Sequence, residues 1–225
     1  MTPQAARAQR AMDTRRGGYR NREARRMELI AFNDLFVEVV LGLEESARGE
    51  FMKRLYASMQ QHCREVREPC FSREQYEAIV RGLSREIAVF LAAKRHGYEV
   101  HMTSRVADGL GVDMQIRDSS SGRYVNIDCK TPPAFRRRIH DLVREGRLTE
   151  AEAAHAVIGG LVELKNGRGM NRVVVVLVRV DEAEFGEIHN FEFTDTPKVA
   201  QRLQEIIDLY GRRDGEFFRF LPLAD

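Results

Sequence analysis

Asp113, Asp128 and Lys130 are the residues of this chain whose types and spacing could do chemistry together. Two carboxylates can share a hard divalent cation through their oxygens, and an ammonium beside them can meet the charge of a phosphate or move a proton. Asp113 stands in Gly111-Val112-Asp113-Met114-Gln115-Ile116, and the other two in Val125-Asn126-Ile127-Asp128-Cys129-Lys130. Side chains alternate along a strand, so Val125, Ile127 and Cys129 would point to one face and Asn126, Asp128 and Lys130 to the other. One face would pack and the other would carry the chemistry. Arg117-Asp118-Ser119-Ser120-Ser121-Gly122-Arg123 between the segments is rich in turn formers. It predicts a hairpin with adjacent antiparallel strands, which brings Asp113 close to Asp128.

An Asp at a strand start is usually a solvated turn residue, and an alternating D-x-K is usually an exposed strand face. The context adds weight. Asp113 follows the Gly-rich turn Asp108-Gly109-Leu110-Gly111, and a helical segment with Glu86 lies upstream. Gly82-Leu83-Ser84-Arg85-Glu86-Ile87-Ala88-Val89-Phe90-Leu91 followed by His96-Gly97-Tyr98-Glu99-Val100 reads as a helix running into a first strand, and Glu86 shares a face with Val89 and Phe90. With Asp113 opening a second strand and Asp128-Cys129-Lys130 on a third, the segment from Gly82 to Val180 resembles the core of the PD-(D/E)xK nucleases. It departs from that pattern before Asp113, where Val112 stands in place of proline.

The resemblance implies a restriction-endonuclease-like αβββαβ core, a mixed sheet flanked by helices within an α/β domain. It also implies Mg²⁺ as the cofactor, with Mn²⁺ able to substitute. Asp113, Asp128 and the backbone carbonyl of Cys129 would ligate the metal, and Glu86 would bind a water on it or a second ion. Lys130 would orient or deprotonate the attacking water and stabilise the transition state. Glu86, Asp113, Asp128 and Lys130 are therefore the expected catalytic set. The side chain of Cys129 points away from Asp128 and belongs to the core rather than to the chemistry.

The positioning elements follow from periodicity. Leu29, Ile30, Phe32, Leu35, Phe36, Val39 and Val40 predict an amphipathic helix from Met27 to Leu43, and Phe51, Leu55, Tyr56 and Met59 a second from Ala47 to Val66. A third helix, capped by Ser72, runs toward Gly97, with Gly82 as a potential break. After Lys130, Thr131-Pro132-Pro133 ends the strand and a helix begins near Ala134. Its Arg136, Arg137 and Arg138 could contact phosphates or form a solvated face paired with Asp141 and Glu145. A further helix is expected from Thr149 to Leu164, with Glu152 in a capping box, ending at Asn166-Gly167. Val173 to Val178 reads as a strand buried on both faces, reached by a helical crossover and so parallel to its neighbour. Ile188 to Asp195 is a candidate edge strand, and Thr196 with Pro197 starts a helix to about Tyr210.

Three regions are expected: a basic tail over 1–26, a helical region over 27–70 and a nuclease-like domain over 71–225. The tail holds eight arginines against Asp13 and Glu23, a charge of +6 within a formal net charge of +2. Such a segment, with Arg15 and Arg16 among its cations, suits phosphate backbones, because each neutralised phosphate releases counterions. A solubilising tail is the plainer reading. Only five lysines stand against thirty-one arginines, so a lysine at position 130 suggests that a compact, titratable ammonium is needed there. Cys63, Cys70 and Cys129 have no CxxC spacing and fit free thiols. No run reaches eighteen apolar residues, and the basic N-terminus lacks an apolar core behind it. A soluble cytoplasmic protein with no membrane partner is expected.

The leading expectation is a metal-dependent endonuclease hydrolysing DNA phosphodiesters in restriction, repair or defence, with RNA open as a substrate. A double-strand cutter would be served by a homodimer. The alternatives are a catalytically silent nucleic-acid-binding module of the same fold and a helical assembly protein with a fortuitous acid pair.

Overall fold

The computed structural model describes residues 36–65, 73–103, 107, 110–167 and 173–213. The arginine tail, with Arg15 and Arg16, the Ser72 cap and the C-terminal segment after 213 lie outside the described residues. The chain divides into two units, one of residues up to Ile87 with His189–Phe191, the other of Ala88–Ile188 and Glu192 onward. Among the described residues no helix is long and apolar enough to cross a membrane.

In the first unit a helical stretch over 36–41 precedes α1 (Glu45–Glu65) and α2 (Arg73–Arg95), which continues into the second unit. Phe36, Val40 and Leu55 are buried. The Phe36 ring meets those of Phe51 at 6.4 Å and Phe191 at 5.9 Å, and Tyr56 lies 4.9 Å from Tyr76. Gly82 does not break α2. A Cβ there would meet nothing within 4 Å, and the buried Leu83 and Ile87 hold the helix through the weak position.

The second unit is a mixed α/β arrangement whose five-stranded sheet has helices packed on it. Its strands are β1 (Glu99–Met102), β2 (Met114–Arg117), β3 (Tyr124–Lys130), β4 (Leu161–Asn166) and β5 (Val173–Arg179), in the order β1-β2-β3-β5-β4. β1, β2 and β3 form the expected antiparallel run, with Met114 opposite Ile127 and Gln115 opposite Asn126. Asp118 Oδ1 accepts the Ser120 N–H at 3.0 Å and its hydroxyl at 2.7 Å, the local bonds that bend the β2–β3 turn. β5 lies parallel to β3, Ile127 beside Val176 and Asp128 beside Leu177. Its run of Val173 to Val178 is buried throughout, as a central strand requires.

The crossover differs from the expected all-helical passage by an inserted strand. α3 (Pro132–Arg144) and α4 (Glu150–Gly159) lead into β4, an edge strand antiparallel to β5, and the chain then returns as β5. The predicted helix from Thr149 to Leu164 thus ends five residues early. Gly160 takes the left-handed conformation, φ 72°, that closes the helix. Leu161, Val162 and Leu164 then bury as strand residues, and Lys165 sits on the strand rather than at a helix end. Thr149 forms the predicted capping box with Glu152. Thr149→Ala should lower the melting temperature by roughly 2–4 °C, the loss of one cap in a chain of this size, read by circular dichroism.

Residues 188–195 also depart from expectation. They form a hairpin of two two-residue strands, β6 (Ile188–His189) and β7 (Glu192–Phe193), outside the main sheet. Asn190 and Phe191 between them have φ of 50° and 66°, so the chain reverses where an edge strand would continue. A short helix, α5 (Glu182–Phe185), precedes the hairpin, and α6 (Thr196–Tyr210) follows it. α6 buries Val199, Leu203, Ile206 and Ile207 and packs against β3.

Candidate functional site

The strand registers assign the faces. Directly paired residues share a face, so Asp113, Gln115, Asn126, Asp128, Lys130 and Leu177 lie on one side of the sheet, and Met114, Ile116, Ile127, Cys129 and Val176 on the other. The period-2 expectation holds, and Cys129 is buried behind the acidic face and forms no disulfide. The acidic face is itself largely covered. On its β4–β5 half, Phe135, Ile139 and Leu142 of α3 and Ala153 and Ala156 of α4 pack with Val162, Leu164 and Leu177. Beside them the turn before β2 folds over the sheet, with Ala107, Leu110 and Val112 against Val173 and Val175. Asn126 and Asp128 are caught beneath this cover, 2% and 7% exposed. Asn126 is satisfied there, its Nδ2 donating to the Val174 carbonyl at 2.8 Å.

Asp113 is fixed at its backbone. Its N–H donates to the Ile127 carbonyl at 2.9 Å, and its carbonyl accepts the Thr103 N–H at 3.1 Å. The Thr103 hydroxyl contacts the carbonyls of Val112 and Asp113. Its side chain then reaches over β3, where Oδ2 accepts the Cys129 N–H at 2.6 Å. Cys129 lies past the point where β2 begins, so the carboxylate satisfies an N–H that a longer β2 would have paired.

The Cys129 carbonyl points to the same flank, since the Lys130 carbonyl accepts from Val180 on the β5 side and successive carbonyls alternate. Lys130 folds back over it, with Nζ 3.4 Å from that oxygen and in contact with Asp128 Oδ1. Asp113, Asp128, Lys130 and the Cys129 carbonyl are therefore brought together.

The electrostatics of this group are those of a half-neutralised acid pair. Burial pushes the Asp128 carboxyl up from its ordinary range to about 7, the neighbouring Asp113 charge pushes the same way, and Lys130 opposes both. Asp113 lies close enough to hydrogen-bond the protonated form of Asp128. With Asp128 protonated the lysine balances the remaining carboxylate, and with it ionised the group carries a net negative charge that a further cation could meet. The donors are hard oxygens, two carboxylates and a carbonyl, the set that suits Mg²⁺ rather than a soft metal. Among the described residues no three His, Cys, Asp or Glu side chains are grouped to hold a metal ion. The protein donors assembled here are thus the carboxylate pair and the carbonyl.

Comparison with family models, with curated proteins and with solved structures returns no match for this chain.

The remaining expected residues are placed as follows. Glu86 lies half-buried on α2 within the first unit. Arg136 and Arg137 are exposed on α3, whereas Arg138 pairs with Glu145 at 3.2 Å and Asp141 with Arg144 at 2.8 Å. Only part of that arginine run is engaged in the expected local pairing.

Two residues outside the expected set belong to the site's frame. Gly111 has φ 78°, and a Cβ there would stand 3.5 Å from Asp128 Oδ2 and 3.2 Å from Asn166 Nδ2. Asn166, at the end of β4, donates from that nitrogen to the Leu110 carbonyl at 3.0 Å. The signal for Gly111 is visible in the sequence as a glycine two residues before the acid. Asn166 carries no such signal, because Asn-Gly after an apolar helix pattern reads as a helix stop. Gly111→Ala should destabilise the fold by about 1–2 kcal/mol through the left-handed conformation alone. Urea denaturation gives the measure, and an unchanged midpoint would show that the turn can refold around a side chain.

Proposed function

We propose that the chain is a metal-dependent phosphodiesterase of restriction-endonuclease-like architecture that cuts nucleic acid, with DNA as the leading substrate. The observation carrying this reading is the convergence of Asp113, Asp128, the Cys129 carbonyl and Lys130 on one face of the sheet, with Asp128 buried against a second carboxylate and a single ammonium. Asp113 and Asp128 would hold Mg²⁺ with the carbonyl of Cys129. When bound, the ion supplies charge neutralisation at the phosphate and a more acidic water at neutral pH.

The chain's own residues account for the rest. Lys130 stands at the edge of the acid pair and is partly open to solvent, its side chain 31% exposed. Its ammonium can therefore face both the carboxylates and an incoming phosphate. From this position Lys130 would donate to a phosphate oxygen or orient the attacking water, with its ammonium beside Asp128 Oδ1 and the Cys129 carbonyl. The cover formed by Leu110, Val112 and α3 keeps bulk water from the Asp128 side, which strengthens each charge interaction within. Arg136 and Arg137, exposed on the helix that begins two residues after Lys130, are available to a flanking phosphate backbone. A parallel β5 beside β3, after three antiparallel strands, accords with the αβββαβ order, to which β4 adds an edge strand.

The test is cleavage of supercoiled plasmid, single-stranded DNA and RNA by the purified chain in Mg²⁺, Mn²⁺ and EDTA. Cutting in either metal and none in EDTA is the expected result, and the substrate cut assigns DNA or RNA. Intact binding with no cutting of any substrate would replace this reading with a silent nucleic-acid-binding module.

A further inference from the structure

We propose that Asn166 is a positioning residue: it pins the Leu110–Gly111 turn against Asp128 and so keeps Asp113 and Asp128 facing one another across a shared divalent cation. This rests on the reading of the acid pair as a metal site. Two carboxylates brought together repel, so the turn that carries one of them toward the other is steadied by each tie made to it. Asp113 itself is tied at its backbone by Ile127 and Thr103. Ahead of it, Leu110 and Val112 donate their N–H groups to the Ala107 carbonyl at 2.9 and 3.0 Å, which shapes the turn locally, and Gly111 is the wall against Asp128 Oδ2. To these local bonds and the packing on Val173 and Val175, Asn166, fifty-six residues away in sequence, adds a side-chain tie from β4, through Nδ2 to the Leu110 carbonyl at 3.0 Å.

The amide is in turn oriented. Arg147, in the turn between α3 and α4, donates to Asn166 Oδ1 at 3.2 Å and to the Lys165 carbonyl at 2.8 Å. With its oxygen engaged by an obligate donor, Asn166 has its NH₂ directed at the turn. Arg147, Asn166 and Leu110 thus form a relay from the helical cover, through the edge strand, to the acid pair. Gly111 lets the relay close, because the space a Cβ would fill is bounded by the Asn166 amide on one side and the Asp128 carboxylate on the other. Groups that fix a metal ligand from behind change affinity without touching the ion, by roughly 10- to 100-fold.

The experiment measures Mn²⁺ binding to the full chain by electron paramagnetic resonance, without nucleic acid and well below each variant's melting temperature. Asn166→Ala and the volume-matched Asn166→Leu should each raise the Mn²⁺ dissociation constant by roughly 10- to 100-fold. Thr149→Ala, which costs stability at the start of α4, should leave that constant unchanged, separating positioning from general loss of stability. Constants within twofold of the parent for both Asn166 variants, or an equal weakening in Thr149→Ala, would overturn the role of Asn166 while leaving the metal site standing. A parent chain that binds no Mn²⁺, or binds it equally after Asp128→Asn, would overturn the site reading and this inference together.

Discussion

Asp128→Asn and Lys130→Ala are each expected to lower metal-dependent cleavage by about 10²–10⁴-fold, the range for losing a group that moves a proton or meets charge at the reacting atoms. The two losses have different causes and can be told apart. Asp128 is the buried member of the pair, and asparagine keeps its shape while removing the charge that would hold the ion. Raising Mg²⁺ should therefore recover part of the activity of a weakened ligand variant such as Asp113→Asn. It should recover none of the loss in Lys130→Ala, whose defect lies in charge and proton placement rather than in ion binding. Lys130→Arg is expected to restore little. A planar guanidinium keeps the charge but not the compact donor that sits over the Cys129 carbonyl at 3.4 Å. Initial rates on the substrate class cut by the parent, across a Mg²⁺ series, give the comparison. Cleavage by Asp128→Asn within threefold of the parent would make the acid pair fortuitous.

The site was legible in the sequence where local pattern decides and hidden where tertiary contact does. A two-residue period across Asn126, Asp128 and Lys130, with turn formers before it, is enough to place two acids and a lysine on one face, because strand geometry leaves no other arrangement. The valines from 173 to 176 likewise announce a strand buried on both sides. The edge strand β4 escapes this logic. Leu161-Val162 and Leu164 continue the apolar pattern of α4, and the only local mark of the change is Gly159-Gly160, where Gly160 turns left-handed. Gly82 is the opposite case, a glycine that reads as a break and is carried through by the packing of its neighbours.

The environment of Asp128 lay beyond local pattern altogether. Its burial is made by α3, by the turn at Leu110 and by a strand fifty residues downstream, none of which the spacing of its own strand can report. The same holds for Asn166, whose partner Leu110 is separated from it by β2, β3, α3 and α4.

Burial has a consequence for stability that runs opposite to that of most surface carboxylates. Asp128 has its folded pKa raised from 3.8 to about 7, so between those values the folded state binds the proton that the unfolded chain releases. Its contribution to stability is complete below about pH 4 and is lost as pH rises through about 7. The loss is on the order of 2–4 kcal/mol, from about 1.4 kcal/mol for each tenfold change in proton affinity, discounted for relaxation of a buried pair. Asparagine at 128 is neutral throughout, so the stability difference between parent and Asp128→Asn should fall steadily from pH 4 to 7 in the absence of metal. Above pH 7 the variant should be the more stable chain.

Divalent metal is expected to reverse that order. An ion taken up by the deprotonated pair would release a proton below pH 7, so it should stabilise the parent more at pH 8 than at pH 6. Asp128→Asn should gain little at either pH. Urea denaturation at pH 5, 6, 7 and 8, with EDTA and with 10- to 100-fold excess Mg²⁺ over its dissociation constant, reads both effects. Parallel pH profiles for parent and variant without metal would show that Asp128 is ionised in the folded chain across this window. Metal would then displace no proton from the pair, and its stabilisation of the parent should be equal at pH 6 and pH 8.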